Sequence, residues 1–225
     1  MTITSKLPPA IIFFGPDGSG KTTQADLLVH ELRINGIKTK KLWLRSLHTL
    51  AYVISNFAMH LLDLQDIYEF RAKYSNKKFF RKMWYLIEFI SILPLILFKF
   101  HLPLSRGYTL VAERYVIDWI VSLSYVSRNE SLLDSSLAKS ALRFIPRNSL
   151  LIFIDANYDA LCSRGRKEES FEFIEFQRRL YAKIALMLNS VVIDTSDKNK
   201  QQVHKIICHH ALKLYPSHTT DHYSE

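Results

Sequence analysis

Apolar residues along this chain fall in two rhythms. Short compact runs alternate with longer stretches in which apolar positions recur every three or four residues, the pattern of parallel strands joined by helices. Strands are predicted at 10–14, 39–44, 109–112, 150–155 and 191–194. Between the first two, residues 21–34 set Ala25, Leu28, Val29 and Leu32 on one helical face and close at Asn35-Gly36, a helix stop. Further helices are predicted at 115–127, at 132–144 before Pro146, at 171–188 and at 202–214. The expected fold is α/β, a doubly wound parallel sheet of five strands flanked by helices. No repeat or Pro/Gly-rich linker appears, so a single domain is expected over 1–216, with a polar tail at 217–225.

Residues 83–104 are strongly apolar and stand outside that alternation. Glu88, Pro94 and Lys99 interrupt them, and the run falls short of the roughly 20 apolar residues that span a bilayer. A buried helix or a broken pair of helices is expected. Contact with a membrane surface or a lipid-linked substrate stays open as an alternative, because the preceding stretch is basic.

Charge and cysteine content narrow the classes of partner. The 225 residues carry a formal charge of +9. Residues 67–107 supply +6 of it, eight Lys/Arg (Arg71, Lys73, Lys77, Lys78, Arg81, Lys82, Lys99, Arg106) against Glu69 and Glu88. Such an excess favours anionic partners. The aromatic-plus-basic strand pattern of a single-strand binder is missing, so nucleic acid is not expected. The two cysteines, Cys162 and Cys208, lie in helical segments without CxxC spacing, which argues for a reducing compartment. The N-terminal residues lack the apolar run of a signal peptide, and a cytoplasmic location is expected. His209, His210, His218 and His222 gather near the C-terminus without metal-site spacing and read as solvated.

Glycine is scarce, six in all, and three fall between Gly15 and Gly20. The chain there reads Gly15-Pro16-Asp17-Gly18-Ser19-Gly20-Lys21-Thr22-Thr23, a complete G-x4-G-K-[ST] phosphate loop after a strand and opening a helix. Its glycines let consecutive backbone N–H groups turn inward around phosphates, and the helix N-terminus adds the positive end of its dipole. Lys21 would reach the β- and γ-phosphates of ATP, and the Thr22 hydroxyl would ligate Mg²⁺.

Two further groups favour phosphoryl transfer. Glu113-Arg114-Tyr115 follows the third strand, at the sheet edge where ligands of open α/β folds bind. The carboxylate suits Mg²⁺ or the attacking oxygen, and the guanidinium suits a phosphate. After the fourth strand comes Arg164-Gly165-Arg166-Lys167-Glu168-Glu169, read as a mobile lid that brings positive charge to the reaction and excludes water.

Together these motifs resemble the thymidylate kinases. That family carries an acid two positions after the first loop glycine, where Asp17 stands, and an aspartate-arginine-aromatic motif similar to Glu113-Arg114-Tyr115. An arginine follows its second strand, as Arg45 does here, and its lid lies where Arg164 and Arg166 lie. Val192-Ile193-Asp194-Thr195 is similar to the late strand before its adenine-side loop. The likeness covers roughly 10–45, 107–128 and 149–195.

The resemblance implies transfer of the γ-phosphoryl group of ATP-Mg²⁺ to a nucleoside monophosphate, dTMP in that family, by a homodimer. Carried over, Asp17 contacts the acceptor sugar or organises the phosphate site, Arg45 and Arg114 clamp the acceptor phosphate, and Phe70 stacks on the base. Gly15, Asp17, Gly18, Ser19, Gly20, Lys21, Thr22 and Thr23 hold ATP, and Thr22 with Glu113 serves Mg²⁺. Lys21, Arg164 and Arg166 stabilise the migrating group, and since Gly18 leaves the loop without an arginine, the lid carries that work.

Three departures keep other acceptors open. Glutamate replaces aspartate at Glu113, Arg45-Ser46-Leu47-His48 replaces the family's Arg-Glu-Pro-Gly, and Tyr74 stands where a base-reading arginine is expected. A deoxynucleoside kinase shares the Glu-Arg motif and the Arg-x-Arg-x-x-Glu lid, but places a glutamate as general base where Arg45 stands. A kinase of another small or lipid-linked acceptor, and a nucleotide-binding module without catalysis, are the remaining readings.

Overall fold

The computed structural model describes residues 9–44, 78–166 and 170–215, except the side chains of 78–80 and 166. Among these, five parallel strands form one sheet: β1 (Ala10–Phe14), β2 (Thr39–Leu42), β3 (Thr109–Ala112), β4 (Ser149–Asp155) and β5 (Val191–Asp194). Their order is β2-β3-β1-β4-β5. Helices α1 (Lys21–Ile34), α2 (Lys78–Leu95), α3 (Leu102–Ser105), α4 (Val116–Val126), α5 (Ser136–Leu142), α6 (Tyr158–Leu161), α7 (Phe171–Met187) and α8 (Lys200–Leu212) join and cover the strands.

Every position of β1 is buried, because it lies at the centre with β3 on one side and β4 on the other. Its alternating side chains feed two cores. Ile12 and Phe14 join Leu110, Ala112 and Phe153 beneath α2, α4 and α7. Ile11 and Phe13 join Val111, Ile152, Ile154 and Ile193 beneath α1 and α8, where Ala25, Leu28, Val29 and Leu32 supply the apolar face expected of α1. The chain leaves β1 towards one edge and later fills the other side, so a crevice opens at the carboxyl ends of β1 and β3.

Several boundaries differ from the sequence expectation, each for a local reason. The second strand stops at Leu42 rather than 44, although Leu44 N still donates to the Arg114 carbonyl at 3.2 Å. The helix expected at 132–144 is split into a 3₁₀ turn, Glu130–Asp134, and α5. Ser135 is extended there, and its hydroxyl caps α5 by accepting from Ala138 N at 3.2 Å. The last helix starts at Lys200 rather than 202, because Asn199 and Gln202 form a reciprocal capping box.

The apolar stretch at 83–104 is helical but uneven. Pro94 lies inside α2, where it removes a backbone donor, and the path then widens into a π-helical stretch, Ile96–His101, before α3. Tyr85, Ile92, Ile96, Phe100 and Leu104 face the core, whereas Met83, Leu86, Ile90, Leu97, Phe98 and Leu102 face outward. The expectation of a buried or broken helix therefore holds for one face. On length and composition, however, the expectation that this run falls short of a bilayer span is corrected. Among the described residues, the helical stretch Arg81–Ser105 is long and apolar enough to cross one, and 33% of its apolar window is buried in the fold.

This two-sided character makes a simple comparison. Ile92 is fully buried and Ile90 is 50% exposed. Ile92→Ala is expected to lower unfolding stability by about 2–5 kcal/mol in urea titration, whereas Ile90→Ala shifts it by less than about 0.5 kcal/mol. Equal losses would contradict this seating of the helix.

Candidate active site

The loop between β1 and α1 turns at glycines in left-handed or otherwise Gly-favouring backbone, with φ of 142° at Gly15, 87° at Gly18 and 100° at Gly20. Gly15 is the most constrained, since a Cβ there would lie 2.1 Å from the Ile154 carbonyl oxygen. Only glycine lets the loop pass so close to β4. Gly20 caps α1 without a side-chain hydrogen bond, and the first turn of α1 holds no acid. The helix thus carries no acid of its own in that turn to offset the positive end of its dipole.

Lys21 is buried and donates to the carbonyls of Gly15 and Pro16, each at 2.7 Å, with Asp17 Oδ1 at 3.6 Å. Burial lowers its pKa, while Asp17 and then Asp118 oppose that shift. Arg114 reaches from the end of β3 to Asp17, and its Nη2 donates to Oδ1. Burial opposes its charge, but Asp118 and Asp17 outweigh that and raise its pKa.

Asp118 sits on α4, four residues beyond Arg114, and is almost fully buried. It accepts from the backbone N–H of Tyr115 at 3.1 Å and from the Tyr181 hydroxyl at 2.9 Å. Burial raises its pKa, against the pull of Arg114 and Lys21. Asp118 is therefore the internal counter-charge shared by both cations.

Glu113 faces the other end of the loop. Thr22 Oγ1 donates to its Oε1, and Lys41 Nζ on β2 lies 3.0 Å from Oε2. On the opposite flank Arg164 donates from Nη1 to Thr195 Oγ1 at 3.0 Å and from Nη2 to the Thr195 carbonyl at 2.6 Å. Thr195 in turn donates to the carbonyl of Ser19 or of Asp155, at 3.2 and 3.0 Å. The end of β5 is thereby tied to the phosphate loop.

These groups line one cavity of about 590 Å³, walled by the loop from Asp17 to Gln24 and by Glu113, Arg114, Arg164, Thr195, Lys198, Lys200 and Val203. The residues suit a nucleoside triphosphate. The wall is rich in cations and backbone N–H groups, and the buried Ser19 hydroxyl has no hydrogen-bond partner. Among the described residues no cluster of three His, Cys, Asp or Glu could cage a metal. Thr22 and Glu113, in contact, offer the sparse oxygen set of a Mg²⁺ that keeps waters and substrate phosphates as its other ligands.

Most of the residues singled out in the sequence meet here: Asp17, Gly18, Ser19, Gly20, Lys21, Thr22, Thr23, Glu113, Arg114 and Arg164 all line the cavity. Gly15 instead packs on β4 and offers its carbonyl to Lys21. Arg45, Phe70 and the Arg166 side chain lie outside the described residues. Sequence reasoning passed over Asp118 and Lys41. A lone acid among Val116, Ile117, Trp119 and Ile120 was the available signal for the first. Lys41 carries none, as it reads like any edge-strand lysine.

No protein-family model matches the chain, and no curated protein does. Solved structures match in fold. The thymidylate kinase of Candida albicans superposes with a TM-score of 0.62 at 17% identity, covering 96% of this chain and 95% of that one. The thymidylate kinase of Ehrlichia chaffeensis gives 0.54 at 18% identity, covering 91% and 98%. The fold is that of the thymidylate kinases. The resemblance read from scattered motifs thus extends to the fold of the described residues.

The Asp118–Tyr181 bond yields a pH-dependent expectation. A carboxyl whose folded pKa is raised binds more protons folded than unfolded, so its contribution to stability falls as pH rises above the ordinary carboxylate range. Tyr181→Phe removes a bond to the ionised form and deepens that fall. The variant should be about 1–3 kcal/mol less stable than the parent at about pH 8 and closer to it at about pH 4, by urea unfolding. An equal deficit at both would mean that the bond does not favour the charged form.

Proposed function

We propose that this protein is an ATP-dependent nucleoside monophosphate kinase, with dTMP as the first candidate acceptor. The observation that carries this reading is the convergence of Glu113 and Arg114, from the end of β3, on Thr22 and Asp17 of the phosphate loop. A bound triphosphate is served by the loop backbone, by Lys21 and, with Thr22, by the Glu113 carboxylate that would take its Mg²⁺. The Arg114 guanidinium beside Asp17 goes beyond that task and suits a second, phosphorylated substrate.

In this reading, the loop backbone from Gly18 to Thr23 cradles the triphosphate of ATP and Lys21 neutralises its terminal oxygens. Arg114, steadied by Asp17 and Asp118, grips the acceptor's monophosphate and fixes its attacking oxygen. That oxygen bonds to the γ-phosphorus as the bond to the β–γ bridging oxygen breaks, leaving ADP and the acceptor diphosphate. Thr22 and Glu113 would hold Mg²⁺, which when bound neutralises charge on the phosphate oxygens. Arg164 adds a cation on the triphosphate side, and Arg45 and Arg166 are proposed partners of the acceptor phosphate and the migrating group. Catalysis then rests on positioning and electrostatics, with no covalent enzyme intermediate.

The test is ATP consumption with product identification against ribo- and deoxynucleoside monophosphates, the corresponding nucleosides, and no acceptor. Turnover with a monophosphate is expected, lost in Lys21→Ala and reduced about 10²–10³-fold in kcat/KM by Arg114→Ala. Turnover with nucleosides alone would replace this reading with a deoxynucleoside kinase, the enzyme class that shares Glu113. Near-parental rates in Lys21→Ala would sink both.

A further inference from the structure

Glu113 is one methylene longer than the aspartate of the motif it resembles, and both of its oxygens are engaged. Oε1 accepts from the Thr22 hydroxyl, and Oε2 lies 3.0 Å from Lys41 Nζ. The parallel register sets Lys41 beside Val111, and Glu113 N donates to the Leu42 carbonyl at 3.0 Å. The two backbones are therefore joined just before the side chains meet. Strand alternation turns Lys41 towards α1, where Asp26 Oδ1 takes the same ammonium at 2.7 Å. The lysine is thus anchored from two elements before it touches Glu113.

Burial strengthens the contact. Lys41 is 27% exposed and Glu113 14%, so the pair is screened less than ions on an open surface. The extra methylene gives the glutamate one more torsion than an aspartate, and the ammonium on Oε2 restrains it.

We propose that Lys41 is a positioning residue for Glu113: it holds Oε2 so that Oε1 stays beside the Thr22 hydroxyl, the pair that would take Mg²⁺. This rests on the kinase reading above. A cation this near a divalent ion also repels it, so the two effects oppose. Orientation prevails because the ammonium engages the oxygen that Thr22 does not. Groups that orient a metal-binding carboxylate typically change metal affinity by about 10–100-fold when removed. Lys41 and Glu113 are then a matched pair, since an aspartate, one carbon shorter, would draw its carboxylate back from the ammonium.

Calorimetric titration of the full chain with AMP-PNP, in Mg²⁺ and in EDTA, tests this without relying on turnover. In the parent protein Mg²⁺ should tighten binding. Lys41→Met should cut that Mg²⁺-dependent gain about tenfold while leaving binding in EDTA unchanged, and Lys41→Arg should keep most of the gain. In a Glu113→Asp background, Lys41→Met should add no further loss, which a double-mutant cycle reads directly. Thermal unfolding confirms folding of each variant, and Lys41→Gln replaces the methionine variant should that one unfold. An unchanged or larger Mg²⁺ gain in Lys41→Met, or its full loss in the Glu113→Asp background, would overturn the inference while leaving the kinase reading intact. Absence of nucleotide binding by the parent protein would overturn both.

Discussion

The ammonium of Lys21 and the guanidinium of Arg114 lie where burial works against both charges, and the architecture around them answers that cost from within. Asp17 supplies counter-charge from the loop and Asp118 from the first turn of α4, close enough to act on both cations. A buried cation without a carboxylate would be driven towards its neutral form or out of the fold. Asp118 is in turn steadied by those two cations and by the bonds that Tyr115 N and the Tyr181 hydroxyl donate to it. One network therefore links the loop, the end of β3, α4 and α7, and a phosphate that enters the crevice meets cations already held in place.

The sheet makes that network geometrically available. With β1 at the centre, the loop at its carboxyl end has β3 beside it, and Glu113 and Arg114 emerge within reach of Thr22 and Asp17. Gly15 closes the other side by letting the loop pass against β4. Thr195 then ties β5 to Ser19 and carries Arg164, so the far strand also contributes to the wall.

The helical span from Lys78 to Ser105 answers to a different balance. Its inner face completes the core over α4, while its outer face leaves Leu86, Ile90, Leu97 and Phe98 half exposed or more. The only acid in this span, Glu88, is turned inward, so basic residues and apolar ones share the outer surface.

Local sequence determined the elements and the chemistry of the loop. Strand and helix positions followed from apolar spacing, since burial on one or both faces imposes those periods. The phosphate loop followed from glycines that only a special backbone explains. The helix at 132–144 was misjudged because the Ser135 cap outweighs a continuous apolar rhythm, and that competition was legible in Leu132-Leu133-Asp134-Ser135-Ser136. What the sequence could not decide was which charges meet. Asp118 and Lys41 look like an ordinary helix acid and an ordinary edge-strand lysine, and their partners lie on other elements. Strand order and register bring Lys41 to Glu113, and the packing of α4 against α7 brings Asp118 to Tyr181, because an ion pair or hydrogen bond depends on distances of a few ångström that the chain sets only once the elements have packed.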